Sequence, residues 1–157
     1  MKAIFGAFFM SAMLLASVGG ASATSYIQAS STEEQLAADT KPKAVTMNSV
    51  DAKKNITVEK TVVRVNESGA FFFIAAAQIG GKNKGLVRMW MKINGKDVDN
   101  SNTEQLIPDP AFTAVLVCQG VAEVKRGDKI EVVYSTPGTE PEYTTSILSP
   151  LFTSAPP

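Results

Sequence analysis

The hydrophobic pattern is clearest in residues 69–81, which read GAFFFIAAAQIGG. A strand that buries only one face alternates apolar and polar side chains, because successive side chains point to opposite faces of a sheet. Residues 69–81 do not alternate in this way. One face of the strand would carry Phe71, Phe73, Ala75 and Ala77, and the other face Phe72, Ile74, Ala76 and Gln78. The pattern therefore predicts a strand that is covered on both faces.

Other short apolar segments, separated by turn signals, follow along the chain. Residues 86–93 alternate regularly, and the Asn94-Gly95 pair after them is a strong hairpin signal. Three further segments with strand character occupy residues 56–65, 111–124 and 129–136. Because helical periodicity is scarce, the pattern predicts an all-β protein. We expect a jelly-roll β-sandwich of about 8–10 antiparallel strands.

The two ends of the chain depart from this pattern. Residues 1–23 contain one Lys, an apolar run and a final Ala-Ser-Ala, which is the layout of a secretory signal peptide cleaved after Ala23. The apolar run is too short for a typical membrane-spanning helix. Residues 24–44 are small and polar, and we expect either a flexible segment or an edge strand. The sandwich domain is then expected at residues 45–154, with a disordered tail at residues 155–157.

Composition excludes several classes of function. The chain has 15 basic and 15 acidic residues, and loss of Lys2 with the signal peptide leaves 14 against 15, a net charge of −1. No basic block indicates nucleic-acid binding. The absence of His excludes Ser-His-Asp and Cys-His catalysis and all imidazole metal sites. The single cysteine, Cys118, lies in an apolar run and is predicted to be buried and unreactive. We expect no enzymatic activity.

Two regions remain as candidates for ligand binding. Asp97, Asp99 and Asn102 place oxygen ligands in one loop, so they are candidate calcium ligands, although ordinary turn chemistry explains the same residues. No other cofactor is indicated. A second group combines positive charge with an aromatic ring, and it consists of Lys82, Lys84, Arg88 and Trp90. Such a surface suits a polyanion or a glycan, and the alternative is an ordinary solvated sheet face.

The order of these motifs resembles that of the C1q/tumour-necrosis-factor-like family. The segments VRVNESGAFFFIAAAQ, VRMWMKINGKDVDNS and VKRGDKIEVVYST follow one another as a strand, turn and strand series similar to that of the family. PKAVTMN and SILSPLF stand where the family has its early and final strands. The resemblance covers roughly residues 42–153, and the chain has no collagen-like Gly-X-Y segment.

The resemblance implies a ten-strand jelly roll that assembles as a trimer and serves extracellular recognition without catalysis. It also implies that the strand at residues 70–79 lies in the inner sheet beside the three-fold axis. We therefore predict an oligomer interface at Phe72, Ile74 and Ala76. The alternative is that an N-terminal segment of the same chain covers this face.

The function that follows is a secreted or cell-surface recognition and adhesion module, with the periplasm as the other location. It would be a homotrimer that binds an extracellular protein or glycan through several weak sites at once. The alternative function is a structural subunit of an extracellular fibre or matrix. In that case residues 24–44 would add as a strand to the sheet of a neighbour.

Overall fold

The structure is a computed structural model that describes residues 25–37, 40–81, 84–136 and 145–155. The described residues form thirteen strands and no helix, so they include no helix able to cross a membrane. The strands are β1 (Tyr26–Ser30), β2 (Gln35–Ala37), β3 (Lys43–Ala44), β4 (Ser49–Lys54), β5 (Ile56–Glu59), β6 (Val62–Val65), β7 (Gly69–Gly81), β8 (Gly85–Ile93), β9 (Lys96–Asp97), β10 (Thr103–Ile107), β11 (Thr113–Val124), β12 (Lys129–Ser135) and β13 (Thr145–Ala155). The predicted signal peptide lies outside the described residues.

These strands build two antiparallel sheets. The first sheet has the order β11-β7-β13-β1-β4, with β2 also paired to β13. The second has the order β10-β8-β12-β6-β5, with β3 paired to β12 and β9 to β8. Most neighbours within a sheet are far apart in the sequence, as in a jelly roll and unlike a simple meander. The predicted all-β jelly-roll sandwich is therefore confirmed, with ten strands on the two main paths.

The hydrophobic core fills the space between the sheets. From the first sheet, β7 contributes Phe71 and Phe73, whose stacked rings have centroids 6.0 Å apart. From the second sheet, β8 contributes Met89 and Met91, which are fully buried. The core thus joins the Phe-rich strand to the regularly alternating strand that follows it in the sequence.

The hairpin between β8 and β9 has the turn that its sequence predicts. Asn94 and Gly95 have φ angles of 51° and 80°, so both adopt the left-handed conformation that a two-residue hairpin of type I′ requires. Asn94 also donates a side-chain hydrogen bond of 2.8 Å to Asp128, which lies in the turn between β11 and β12. The two turns are therefore tied together at one end of the sandwich.

The N-terminal segment differs from expectation. Residues 24–44 were expected to be flexible or to form an edge strand, but β1 lies inside the first sheet, between β13 and β4. The physical reason is that Ile27 and Ala29 are buried in the core. Further along, the side-chain amide of Gln35 forms two hydrogen bonds with the backbone of Thr46, as a neighbouring strand would. It donates to the Thr46 carbonyl at 2.8 Å and accepts from the Thr46 amide at 2.7 Å. The sandwich therefore begins near Tyr26.

The last strand tolerates an internal proline. β13 lies between β7 and β1 and extends to Ala155, one residue beyond the predicted end of the domain. Its pairing with β2 ends at Ile147, and its pairing with β1 starts at Leu151. Pro150 falls between these two pairings, close to a register shift against β7. Because proline lacks an N–H group, such an interrupted stretch is where a strand accepts it.

The core position of Phe73 generates a stability prediction. Phe73 is 1% exposed, so Phe73→Ala should lower the free energy of unfolding by about 3–5 kcal/mol. Leu106→Ala is the control, because Leu106 is 57% exposed and its truncation should change stability by only about 0.5 kcal/mol. Urea denaturation at one fixed protein concentration measures both changes. Equal shifts of the two midpoints would contradict the placement of the core.

Candidate functional site

The outer face of the first sheet is unusually apolar. Along β7 the core-facing residues from Phe71 to Ile79 are buried, whereas Phe72 is 38% exposed and Ile74 and Ala76 are half-buried. On the neighbouring strand β11, three valines are exposed on the same side of the sheet. The outer apolar face is the name used below for Phe72, Ile74, Ala76, Val115, Val117 and Val121. The division of β7 into two faces agrees with the sequence pattern.

The register of β7 and β11 brings the side chains of the outer apolar face together. Phe72 lies opposite Val121, and Ala76 lies opposite Val117. Directly opposed residues have Cβ atoms only about 4.5–5.5 Å apart, so each of these pairs forms a contiguous apolar contact area. Exposed Gln119 lies opposite Ile74 and exposed Gln78 lies opposite Val115, so the six apolar side chains form a patch that two glutamines interrupt. Within a soluble chain, a patch of exposed large apolar side chains is typical of an interaction surface.

The two edge strands of the first sheet, β4 and β11, differ in the side chains that they expose. At one edge, all six residues of β4 are exposed, and they include Asp51, Lys53 and Lys54. Charged side chains of this kind discourage the pairing of an edge strand with another chain. At the other edge, β11 presents Val115, at 66% exposure, and Val121, at 63%. The β4 edge is therefore charged, whereas the β11 edge exposes three valines together with polar residues.

The alternative that the N-terminal segment covers the outer apolar face has no support in the described residues. Both β1 and β2 pair with β13 and so lie within the plane of the first sheet, rather than across its outer surface. β3 belongs to the second sheet. The part of the chain between residues 25 and 44 that the structure describes thus leaves Phe72 and its neighbours uncovered.

Sequence reasoning missed the three valines of β11. Their signal was present, because residues 115–118 read Val-Leu-Val-Cys and place apolar side chains on both faces of a strand, as residues 71–76 do. The structure buries Leu116 and Cys118 and exposes the two valines. Two adjacent strands with apolar residues on both faces would together have predicted a wider surface than Phe72, Ile74 and Ala76 alone.

A second, polar region lies on the outer face of the second sheet, around Trp90. The hairpin of β8 and β9 places Asp97 opposite Lys92. The Trp90 indole donates a hydrogen bond of 2.9 Å to the Asp97 carboxylate, and the Lys92 Nζ lies 3.1 Å from the same oxygen. The Lys92 Nζ also lies 5.9 Å from the centre of the Trp90 ring, within the range of a cation–π contact. These contacts fix the orientation of the indole.

The loop after Asp97 is held against the sheet by a buried hydroxyl. Ser101 is 1% exposed; its Oγ donates to the Val98 carbonyl at 2.7 Å and accepts from the Met91 amide at 3.1 Å. Asn100 has a φ of 58°, so it adopts the left-handed conformation that Asn tolerates well. With Val98 and Ser101 pinned, the intervening residues project from the surface.

The loop and the sheet form a shallow, open cavity of about 270 Å³ beside Trp90. The side chains that line it include Arg88, Trp90, Asp97, Val98, Asp99 and Asn102. The structure therefore brings together residues from both sequence-predicted groups, the calcium candidates and the basic group. Lys84 is exposed but does not line the cavity, and Lys82 lies outside the described residues.

The contacts of Asp97 compete with a calcium ion. Its carboxylate already accepts the Trp90 N–H and faces the Lys92 ammonium, and these two groups hold the Asp97 pKa below its ordinary value. In the described part of the chain, no three His, Cys, Asp or Glu residues cluster closely enough to hold a metal. Only Asp99 and Asn102 keep their oxygens free of such contacts. Calcium binding by Asp97, Asp99 and Asn102 stays a prediction.

Cys118 is buried among core residues, as predicted. Desolvation raises the pKa of its thiol to about 12, so the reactive thiolate is scarcely populated at neutral pH. The side chain fills space beside Ala75, its cross-strand partner. Its environment is that of a small core side chain.

Comparisons with known proteins define the class of fold. No family model matches the chain, and no curated protein matches it by sequence. Similar solved structures include murine APRIL at pH 5.0, with 12% identity, coverage of 81% of this chain and 97% of that one, and a TM-score of 0.58.

Two further solved structures match this chain over a similar share of its length. The globular domain of the zebrafish complement 1qA protein has 12% identity, coverage of 85% and 96%, and a TM-score of 0.56. The Eiger TNF of S. frugiperda has 10% identity, coverage of 85% and 90%, and a TM-score of 0.59. The chain therefore has a C1q/tumour-necrosis-factor-like jelly-roll fold, as its motif order predicts.

The contacts of Asp97 generate a pH prediction. Because its pKa in the folded chain is below the ordinary value of 3.8, Asp97 stabilises the Trp90 contacts above that pH and loses its effect as the pH falls further. Trp90 is the only tryptophan, so its fluorescence should change in a step below about pH 4. Asp97→Asn should abolish the step.

Asp128→Asn is the matched control for this titration. Asp128 also has a lowered pKa, but it accepts from the Lys125 amide and the Asn94 side chain at a separate turn. The variant should keep the Trp90 step. A step of equal size in the Asp97→Asn protein would show that Asp97 does not control the indole.

Proposed function

We propose that the chain is a secreted, non-enzymatic recognition module that acts as a homotrimer. Its fold is that of the C1q and tumour-necrosis-factor domains, and its sequence resembles that family in the order of its motifs. The observation that carries the proposal is the outer apolar face, which the described residues of the chain leave uncovered. A second copy of the chain offers an apolar surface that matches it in chemistry.

The energetics favour coverage of this face by protein rather than by water. Complete burial of a Phe, Ile or Val side chain contributes about 1.5–3 kcal/mol, and several such side chains lie side by side here. Their existing partial burial reduces the gain per residue, but the gain applies to each subunit of an assembly. Ala76 is a small residue on this face of β7, which suits close approach of neighbouring subunits.

Multivalent binding is the mechanism that follows from a trimer. Three copies of a weak ligand site on one rigid body raise the effective concentration of the second and third binding events. The recognition surface is proposed on loops that leave the outer apolar face free for assembly. The cavity beside Trp90 meets this condition, because it opens on the second sheet.

An interface variant tests the assembly. Phe72→Asp places a charge at the centre of the outer apolar face, so the three-chain species should give way to single chains. The solution mass, measured by light scattering, reports the change. Val121→Asp on β11 should act in the same direction, and it guards against a folding defect peculiar to β7.

Val50→Asp is the matched control for both variants. Val50 is 42% exposed, close to the 38% of Phe72, but it lies on the charged edge strand β4. This variant should keep the mass of the wild-type protein. A wild-type chain that remains monomeric at micromolar concentration would contradict the proposal, as would long polymers.

Expression of the full-length chain, followed by N-terminal sequencing, tests the proposed secretion. Expressed from its full coding sequence, the protein should be exported with Thr24 as its first residue, because cleavage is proposed after Ala23. N-terminal sequencing of the exported protein measures this. Intact Met1 on protein retained in the cytoplasm would contradict a secretory role.

A further inference from the structure

We propose that the cavity beside Trp90 binds a neutral polyhydroxylated ligand, namely a single saccharide unit of a glycan. This inference deepens the proposed recognition function and rests on it. The cavity has a small apolar part, formed by Val98 and by the exposed 8% of Trp90, and a rim of planar polar side chains. A pyranose ring has the same division, with apolar C–H groups and a perimeter of hydroxyl groups.

Three charged groups line the cavity, and two of them, Arg88 and Asp97, are already paired. The third is the Asp99 carboxylate, so the site disfavours an anionic ligand. The Arg88 guanidinium is bonded to the Glu104 carboxylate, and Asp97 is paired with Lys92. A polyanion would have to compete with Glu104 for Arg88, and it would lie beside two further carboxylates. A cation would have to displace the Lys92 ammonium from Asp97.

The groups that stay available are suited to hydroxyl recognition. Asp99 and Asn102 line the cavity, and neither side chain has a hydrogen bond or ion pair to another described residue. A carboxylate accepts from sugar hydroxyls, and an amide both donates and accepts. Asn100 adds a second amide at the same rim. The hydrogen bonds of Ser101 fix the backbone near Val98 and Met91, from which these side chains project.

The size of the cavity limits the ligand. A volume of about 270 Å³ falls just below the range of about 300–1,000 Å³ that is typical of sites for drug-sized ligands. One sugar ring is therefore the unit expected to enter. A shallow site of this size binds weakly alone, and its use depends on repetition across a multivalent assembly.

Fluorescence of the single tryptophan tests the inference directly. The full wild-type protein is titrated with D-galactose, D-mannose and N-acetyl-D-glucosamine, each to about 50 mM, because millimolar dissociation constants are expected. At least one sugar should produce a saturable change in Trp90 fluorescence. Asn102→Ala and Asp99→Ala should each weaken the apparent affinity about tenfold.

Asn66→Ala is the matched control, because Asn66 is an exposed turn residue and undergoes the same chemical change away from the cavity. It should keep the wild-type affinity, and all three variants should keep the wild-type melting temperature. The inference is overturned if none of the three sugars gives a saturable response, or if the response survives in both cavity variants. A response to heparin oligosaccharides or calcium chloride alone would also overturn it.

The solution mass of the same samples separates this inference from the proposed function. A trimer without any sugar response would remove the saccharide site and leave the assembly. A sugar response from a monomer would keep the site and remove the trimer.

Discussion

The structure depends on a strand that carries large apolar side chains on both faces. β7 has Phe71 and Phe73 in the core and Phe72 and Ile74 on the opposite side, and it lies between β11 and β13 in the first sheet. A sandwich of two sheets can bury only one face of each sheet. The second face of β7 is therefore left partly exposed by the described residues. The tertiary fold fills the core, and the proposed assembly would cover the second face.

The same strand links the outer apolar face to the polar cavity on the other side of the molecule. The core side chains of β7 share one hydrophobic core with Met89 and Met91, which alternate along β8 with Arg88 and Trp90. Fixing one face of β8 against the core fixes the direction of the other face, because successive side chains of a strand point to opposite sides. The core packing thus helps to set the outward direction of Trp90, and the proposed assembly and recognition surfaces lie on opposite faces of the sandwich.

Much of the fold was predictable from local signals. The two-sided pattern of residues 69–81 and the Asn94-Gly95 turn depend on neighbours in the sequence, and both appear as predicted. The place of β1 could not be read from its composition, because only two of its residues, Ile27 and Ala29, enter the core, while its neighbours in the sheet come from distant segments. Asp99, Asn102 and Arg88 line one cavity because of long-range packing, which the sequence pattern does not reveal either.

The unequal edges of the first sheet bear on the choice between a discrete assembly and a fibre. A fibre built by strand addition needs a free donor strand and an open acceptor edge. The donor candidates β1 and β2 are already paired with β13 in their own sheet, and the β4 edge carries charges that oppose pairing. The apolar residues instead project from the face of the sheet, where they favour packing of one globular body against another. Packing between surfaces on rigid bodies closes into a ring when the rotation between copies allows it, and a closed ring has a fixed number of subunits. The placement of Phe72 and Val121 on a face, rather than in a detachable strand, therefore favours a closed oligomer.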